Sequence, residues 1–267
     1  MYPVLQKRKL SENTYLIEID APEVAKKAKA GQFLMIRIDE KGERIPLTIA
    51  DSTKRTITIV FLVVGKTTTE LSMLKKGDEI LDVAGPLGNP SKIQQFGNVA
   101  IIGGGLGIAP IYPITKALKE AKNRITVILG AKSKDHLFWE ERFKEVSDRM
   151  LIATDDGSKG QKGFVSDILK ELMQREKLDL VIAIGPPIMM KVISDLTRSR
   201  VKTVVSLNPI MIDGMGMCGG CRVTIDGEIK FACCDGPEFN GHKVDWNELM
   251  NRNKTYTEEE KCACGEK

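Results

Sequence analysis

Between residues 98 and 121 the chain reads Asn98-Val99-Ala100-Ile101-Ile102, then Gly103-Gly104-Gly105-Leu106-Gly107, then apolar residues at Ile111, Ile114, Leu118 and Ala121. The first run is short and apolar, as a buried strand is, and the later spacing is helical. Glycines in the connecting loop let the backbone turn sharply and come close to a bound group. The start of the following helix offers unpaired N–H groups and the positive end of its dipole, which together suit a diphosphate. Pro110 and Pro113 fall in the first turns, where a helix tolerates proline. This segment commits the middle of the chain to strand–helix units, and by itself it leaves open which nucleotide it serves.

More strand-like runs follow at residues 125–129, 150–154, 180–184 and 203–207, with helical stretches between most of them. Such alternation predicts a parallel sheet with helices on both faces. The first ninety residues differ. Runs at 14–20, 32–39 and 56–64 alternate or stay apolar, are rich in β-branched residues and are separated by Gly- and Asp-containing turns. They predict a small antiparallel barrel. Beyond Ser206 the chain is loop-rich, with one hairpin expected from 222–225 and 229–232 around Asp226-Gly227. The expected division is 1–95, a β-barrel; 96–206, an α/β domain; and 207–267, a small cysteine-bearing module with a polar tail at 257–261 that should be mobile.

The 40 basic and 36 acidic residues are interspersed and leave a net charge of only +4. A nucleic-acid-binding chain would gather its basic residues on one face. No apolar run approaches the roughly 18–20 residues that span a bilayer, and Met1 to Lys7 lacks the apolar stretch of a signal peptide. A cytoplasmic protein without nucleic-acid or membrane partners is expected. All six cysteines lie at or beyond Cys218: Cys218, Cys221, Cys233, Cys234, Cys262 and Cys264. A disulfide framework would spread along the chain, so clustering in a reducing compartment points to metal. His136 and His242 are the only histidines, which excludes a histidine-rich site.

Two further loops sit at carboxyl ends of expected strands: Thr154-Asp155-Asp156-Gly157-Ser158 and Gly185-Pro186-Pro187. Ligands of open α/β sheets bind at that edge. Either loop alone could be an ordinary turn; three such loops at one sheet edge point to a nucleotide crevice. In the barrel part, Pro46-Leu47-Thr48, Val64-Gly65-Lys66-Thr67-Thr68 and Gly85-Pro86-Leu87-Gly88-Asn89 read, alone, as a strand start and two turns. Cys218-x2-Cys221-x11-Cys233 has ligand spacing that suits zinc or an iron–sulfur cluster. Asp213, Cys234, Cys262 and Cys264 are candidates for a fourth ligand. Cys233 and Cys234 would point oppositely if both lay in a strand.

With these residues in view the chain resembles the ferredoxin–NADP reductase superfamily carrying a C-terminal [2Fe-2S] domain. It is similar over its whole length to dihydroorotate dehydrogenase electron-transfer subunits, and more so to the small subunits of bifurcating NADH-dependent ferredoxin:NADP oxidoreductases (sulfide dehydrogenase beta subunits). The resemblance implies an FAD-binding barrel, a nucleotide-binding α/β domain and a cluster module. It implies that Pro46-Leu47-Thr48 meets the flavin ring, with Ile45 where arginine is common and Arg44 one place early. Val64, Gly65, Lys66, Thr67 and Thr68 would bind the ribityl and diphosphate parts, with Thr67 in place of a glycine, and 85–89 would close the barrel side. Gly103, Gly104, Gly105, Leu106 and Gly107, with Thr154, Asp155, Asp156, Gly185 and Pro186, match nicotinamide-nucleotide loops. Ile184 stands where the family often has cysteine, so no catalytic side chain is expected, and hydride passes to the flavin itself. Asp213-x4-Cys218-x2-Cys221-x11-Cys233 keeps the dihydroorotate cluster spacing with Asp213 in the first position. The bifurcating small subunits share that substitution. Cys233-Cys234-Asp235-Gly236-Pro237 matches the family's Cys-x-Asp-Gly-Pro and makes Cys233 the fourth-site ligand.

The function implied is electron transfer between NAD(H), FAD and a [2Fe-2S] cluster, within a heterodimer whose larger partner is an iron–sulfur flavoprotein of the FAD and [4Fe-4S] type. The alternatives are a dihydroorotate-type subunit, against which Asp213 argues, and a non-enzymatic, zinc-stabilised nucleotide-sensing module. Lys132, Ser133 and Lys134 could meet a 2′-phosphate and Asp135 a ribose hydroxyl; the resemblance favours NAD(H).

Overall fold

The computed structural model of the protein describes residues 1–256; Cys262, Cys264 and the 257–261 tail lie outside them. Its elements run β1 (Tyr2–Ser11), β2 (Thr14–Asp20), α1 (Pro22–Ala25), β3 (Phe33–Arg37), β4 (Ile45–Ser52), β5 (Thr56–Leu62), α2 (Lys66–Met73), β6 (Glu79–Ile80) and β7 (Asp82–Leu87). These strands form one antiparallel sheet ordered β6-β1-β2-β5-β4-β3-β7. The two edge strands, β6 and β7, follow one another in the chain with only Leu81 between them. The sheet must therefore curl until its edges nearly meet, which makes the expected barrel. Ile17, Ile19, Leu34, Ile36, Ile57, Ile59 and Phe61 fill it. β1 is not marked in the sequence, nor is α2, which starts where the residues read as a turn.

The second sheet is built from β8 (Asn98–Gly104), α3 (Ile108–Glu120), β9 (Arg124–Ala131), α4 (Glu140–Val146), β10 (Arg149–Thr154), β11 (Gln161–Lys162), α5 (Val165–Arg175), β12 (Leu180–Ile184), α6 (Pro187–Thr197) and β13 (Lys202–Ser206). Its order is β11-β10-β9-β8-β12-β13-β16, where β16 is Glu238–Asn240, and it is parallel except at that last strand. Side chains alternate across it as the pleat requires. Val99 and Ile101 face α3 and α4; Ala100 and Ile102 face α5 and α6. Helices on both faces are as expected. Pro113 lies inside α3 rather than in its first turn.

The C-terminal part contributes β14 (Arg222–Ile225), β15 (Glu228–Phe231), β16 (Glu238–Asn240) and α7 (Trp246–Arg252). The expected hairpin is β14–β15, with Asp226 at φ 57° and Gly227 at φ 80° in its turn. β16 leaves that module and pairs antiparallel with β13, Val205 opposite Phe239. Trp246 and Leu249 of α7 join the second apolar layer. No helix among the described residues is long and apolar enough to cross a membrane.

Candidate functional site

The direction of chain progression across the parallel sheet reverses at β8, with β9 on one side and β12 on the other. That is where a crevice opens beyond the strand ends. The glycine loop leaves β8 and Gly185-Pro186 leaves β12, with Gly103 paired to Ile184. The glycines in these loops have separate roles. A Cβ on Gly107 would stand 2.0 Å from the Ile184 carbonyl oxygen, and one on Gly104 would stand 2.3 Å from Met189 Sδ. Those two allow the loops to touch. Gly105 has φ +55° and nothing within 4 Å of its Cβ position, so it alone faces open space, at the entrance to α3. Leu106 beside it is exposed.

Thr154 ends β10 fully buried, and its hydroxyl both donates to the Lys159 carbonyl and accepts from the Lys159 amide, closing the 154–159 loop. Asp156 accepts from the hydroxyl and amide of Ser158, which hold its carboxyl below the usual range. The Lys134 amide donates to Ser158 Oγ at 2.7 Å. The loops after β9 and β10 thus form one surface, on which Asp155 is exposed. Gly103–Gly107 and Gly185-Pro186 are brought together; the Thr154–Gly157 loop lies farther along the same edge, two strands from β8. A half-buried, left-handed glycine with open space before it at a helix entrance, and a polar loop farther along the same edge, fits a dinucleotide.

In the barrel, Pro46, Leu47 and Thr48 lie on β4, half-buried, opposite Met35, Leu34 and Phe33 of β3. Arg44 is held at 3.6 Å by Asp82, which also takes Arg37 at 2.7 Å. The Val64–Thr68 segment opens α2. Thr68 Oγ1 accepts from the Val64 and Gly65 amides at 3.0 Å, so its hydroxyl organises the loop. Gly65 has open space around its Cβ position, and Thr67 is buried. Ala50 and Val60 of the barrel share an apolar core with Ile108, Ala109 and Tyr112 of α3, so β4 lies against the helix that leaves the glycine loop.

The buried part of the cysteine site is Cys221 and Cys233, with sulfurs 3.2 Å apart. The Cys233 amide donates to Cys221 Sγ, and the Gly220 amide to Cys218 Sγ, each at 3.4 Å. Burial, and then the neighbouring Cys221 and Cys234 sulfurs, push the Cys233 thiol up. Thiols that ionise so reluctantly become thiolates when a cation takes up their charge. Soft sulfur donors with amide hydrogen bonds fit an iron–sulfur cluster. Cys218 is exposed on the loop leading into β14, as is Cys234 beyond β15. The Asp213 carboxylate accepts from the amides of Met215 at 2.8 Å, Met217 at 3.0 Å and Cys218 at 2.6 Å. The Met215 bond foremost, with those from Cys218 and Met217, holds this carboxyl low. Among the described residues no three His, Cys, Asp or Glu side chains close on one point.

Cys233 and Cys234 do not point oppositely. They lie in a turn after β15, with sulfurs 3.6 Å apart. Sequence reading also missed what holds this site to the barrel. Asn89 donates from its side chain to the Cys234 carbonyl at 2.8 Å and from its amide to the Gly236 carbonyl at 2.7 Å. Phe33 and Met35 of β3 pack with Cys221 and Cys233. The Gly85–Asn89 motif contained the first of these signals, while nothing in β3 marked the second.

Two family models match the chain: an oxidoreductase NAD-binding domain over residues 101–195, and the iron–sulfur cluster binding domain of dihydroorotate dehydrogenase B over 208–245. A dihydroorotate dehydrogenase B (NAD(+)) electron transfer subunit homolog from Thermotoga maritima is 55% identical, over 97% of this chain and 93% of that one. The electron transfer subunit of Desulforamulus reducens is 38% identical over 89% and 94%. A chain solved in a study of flavin-based electron bifurcation by the NADH-dependent reduced ferredoxin-NADP oxidoreductase superposes with a TM-score of 0.95 at 53% identity, covering 99% of this chain and 97% of that one. Phthalate dioxygenase reductase, at 14% identity and a TM-score of 0.63 over 84% and 85% of the two chains, shares the fold.

Proposed function

The chain belongs to the family of dihydroorotate dehydrogenase B electron-transfer subunits and their homologues, and from that membership we propose that it is the small subunit of a heterodimeric NADH-dependent ferredoxin:NADP oxidoreductase working by flavin-based electron bifurcation. The full-length match in sequence and fold to a chain of that enzyme carries the reading. When bound, NAD(H) would supply hydride chemistry, FAD the exchange between electron pairs and single electrons, and a [2Fe-2S] cluster one-electron transfer.

The residues divide this work among three parts, 1–95, 96–206 and 207–267. Pro46, Leu47 and Thr48 support the flavin ring, and Val64 to Thr68 the rest of FAD. The open backbone at Gly105, with the positive end of α3, holds the diphosphate of NAD(H); Thr154, Asp155 and Asp156 serve the far end of that nucleotide, and Gly185-Pro186 its nicotinamide. Asp213, Cys218, Cys221 and Cys233 hold the cluster. Asp213 in the first ligand position favours this enzyme over a dihydroorotate-type complex. The partner is a larger flavoprotein with FAD and [4Fe-4S] centres, and the pair acts in the cytoplasm.

Co-expression with that partner followed by cofactor analysis tests the reading. Extracted FAD and a [2Fe-2S] spectrum are expected, and they should persist when Cys234, Cys262 and Cys264 are all replaced by Ser. Asp213→Ala should perturb the cluster spectrum. FMN in the extract, or cluster loss in the triple variant beside a normal cluster in Asp213→Ala, contradicts these assignments.

A further inference from the structure

Arg142 of α4 is committed to three groups, one on α3, one on β4 and one in the turn that opens α4 itself. Its guanidinium carbon lies 4.0 Å from the centroid of the Tyr112 ring and 4.4 Å from that of Trp139. It also forms an ion pair with Asp51 of β4. The two rings meet edge to face, 5.4 Å apart. Trp139 sits at φ +62°, a left-handed backbone that a bulky side chain rarely adopts. The Arg142 and Asp51 side chains retain 33% and 27% of their exposure, so the contact is neither a free surface pair nor a sealed one. A planar cation between two rings is a geometry that arginine fills and lysine does not.

The joined elements are those that matter for hydride transfer. Asp51 is three residues beyond Thr48 on the strand assigned to the flavin ring, and Tyr112 is five residues beyond Gly107 on the helix assigned to the dinucleotide. We propose that Arg142 is a positioning residue for hydride transfer: by clamping β4 to α3 it fixes the separation between the flavin ring and the nicotinamide. The proposal rests on the functional reading above. The apolar core around Ala50, Val60 and Tyr112 brings the two elements together, but apolar contact is non-directional. A stacked, ion-paired guanidinium has one geometry and so sets the register.

The kinetic test uses the complex with its cofactors loaded. Anaerobic stopped-flow reduction by NADH should show the limiting rate of flavin reduction falling about tenfold or more in Arg142→Ala, since small misplacements of reacting atoms are costly. Half-saturation by NADH should stay within about twofold, because the dinucleotide loops are untouched. Arg142→Lys should lie between, since lysine keeps the ion pair with Asp51 but not the planar contact with the two rings. Hydrogen exchange of the cofactor-free chain should quicken in β4 and the first turns of α3 and stay unchanged in β1 and β2. An unchanged limiting rate, a loss confined to NADH affinity, or unchanged exchange in β4 and α3 overturns the proposal. If Arg142→Ala does not fold, Arg142→Lys and Asp51→Asn decide by the same rate criterion. Wild-type flavin that NADH does not reduce overturns the functional reading, and the clamp's role with it.

Discussion

Gly105 and Gly107 are two residues apart and serve opposite needs. An alanine at 107 drives its Cβ to 2.0 Å from the Ile184 carbonyl oxygen, a backbone atom that cannot swing away. Gly107→Ala should cost roughly 1–3 kcal/mol, a fall in Tm of about 2–4 °C per kcal/mol for a chain of this size. Gly105→Ala meets no atom and should cost only about 1 kcal/mol, for its left-handed backbone. Gly105→Asp should keep the fold and the flavin while abolishing reduction by NADH; thermal unfolding beside an NADH titration checks all three. The glycine cluster was plain in the sequence. Which glycine packs and which faces open space was not, because the atoms that decide it, on Ile184 and Met189, come from a strand and helix far along the chain. Asp213 shows the same limit. Its spacing was legible, but its hold on three loop amides is a matter of geometry.

Among elements, β12 and β14 were legible to the residue because apolar β-branched runs announce themselves. α2 was hidden, since its Thr67-Thr68-Thr69 start has poor helix propensity; its first turn is held by the Thr68 and Thr69 hydroxyls bonding back to the Gly65 backbone, and Leu71 anchors it in the barrel core. β16 was hidden because three residues carry no periodicity; its place is set by pairing with β13. The turn after β16 is tied to α6 by His242 Nε2, 3.1 Å from Thr197 Oγ1. Burial, and then the Arg198 charge, hold this imidazole below its ordinary range. Its folded pKa is depressed, so the unfolded chain binds the proton first as pH falls. The stability of the neutral form is present above about pH 6.5 and is lost as pH drops through that value toward the folded pKa. The drop in Tm from about pH 7.5 to about pH 5.5 should be smaller in His242→Gln than in the wild type. Equal drops would remove His242 from the pH dependence.

Across the whole molecule the candidate sites lie in a row. The Cys221–Cys233 pair packs on Phe33 and Met35 of β3, β3 pairs with the Pro46–Thr48 stretch of β4, and β4 lies against α3 at the glycine loop. One strand separates the cysteines from the strand assigned to the flavin, and that strand touches the helix assigned to NAD(H). The barrel, the parallel sheet and the cysteine hairpin were legible from composition and spacing. Their order in space was not, because it depends on contacts such as that between Asp51 and Arg142, 91 residues apart. A row of this kind predicts that electrons from NADH reach the cluster through the flavin. The direct measurement is an anaerobic NADH titration of the purified complex, following the flavin absorbance and the low-temperature paramagnetic signal of the cluster in the same samples. The flavin band should bleach and the signal of a reduced [2Fe-2S] cluster should grow with it. Flavin untouched by NADH, or a colourless chain with zinc on its cysteines, would contradict the central claim.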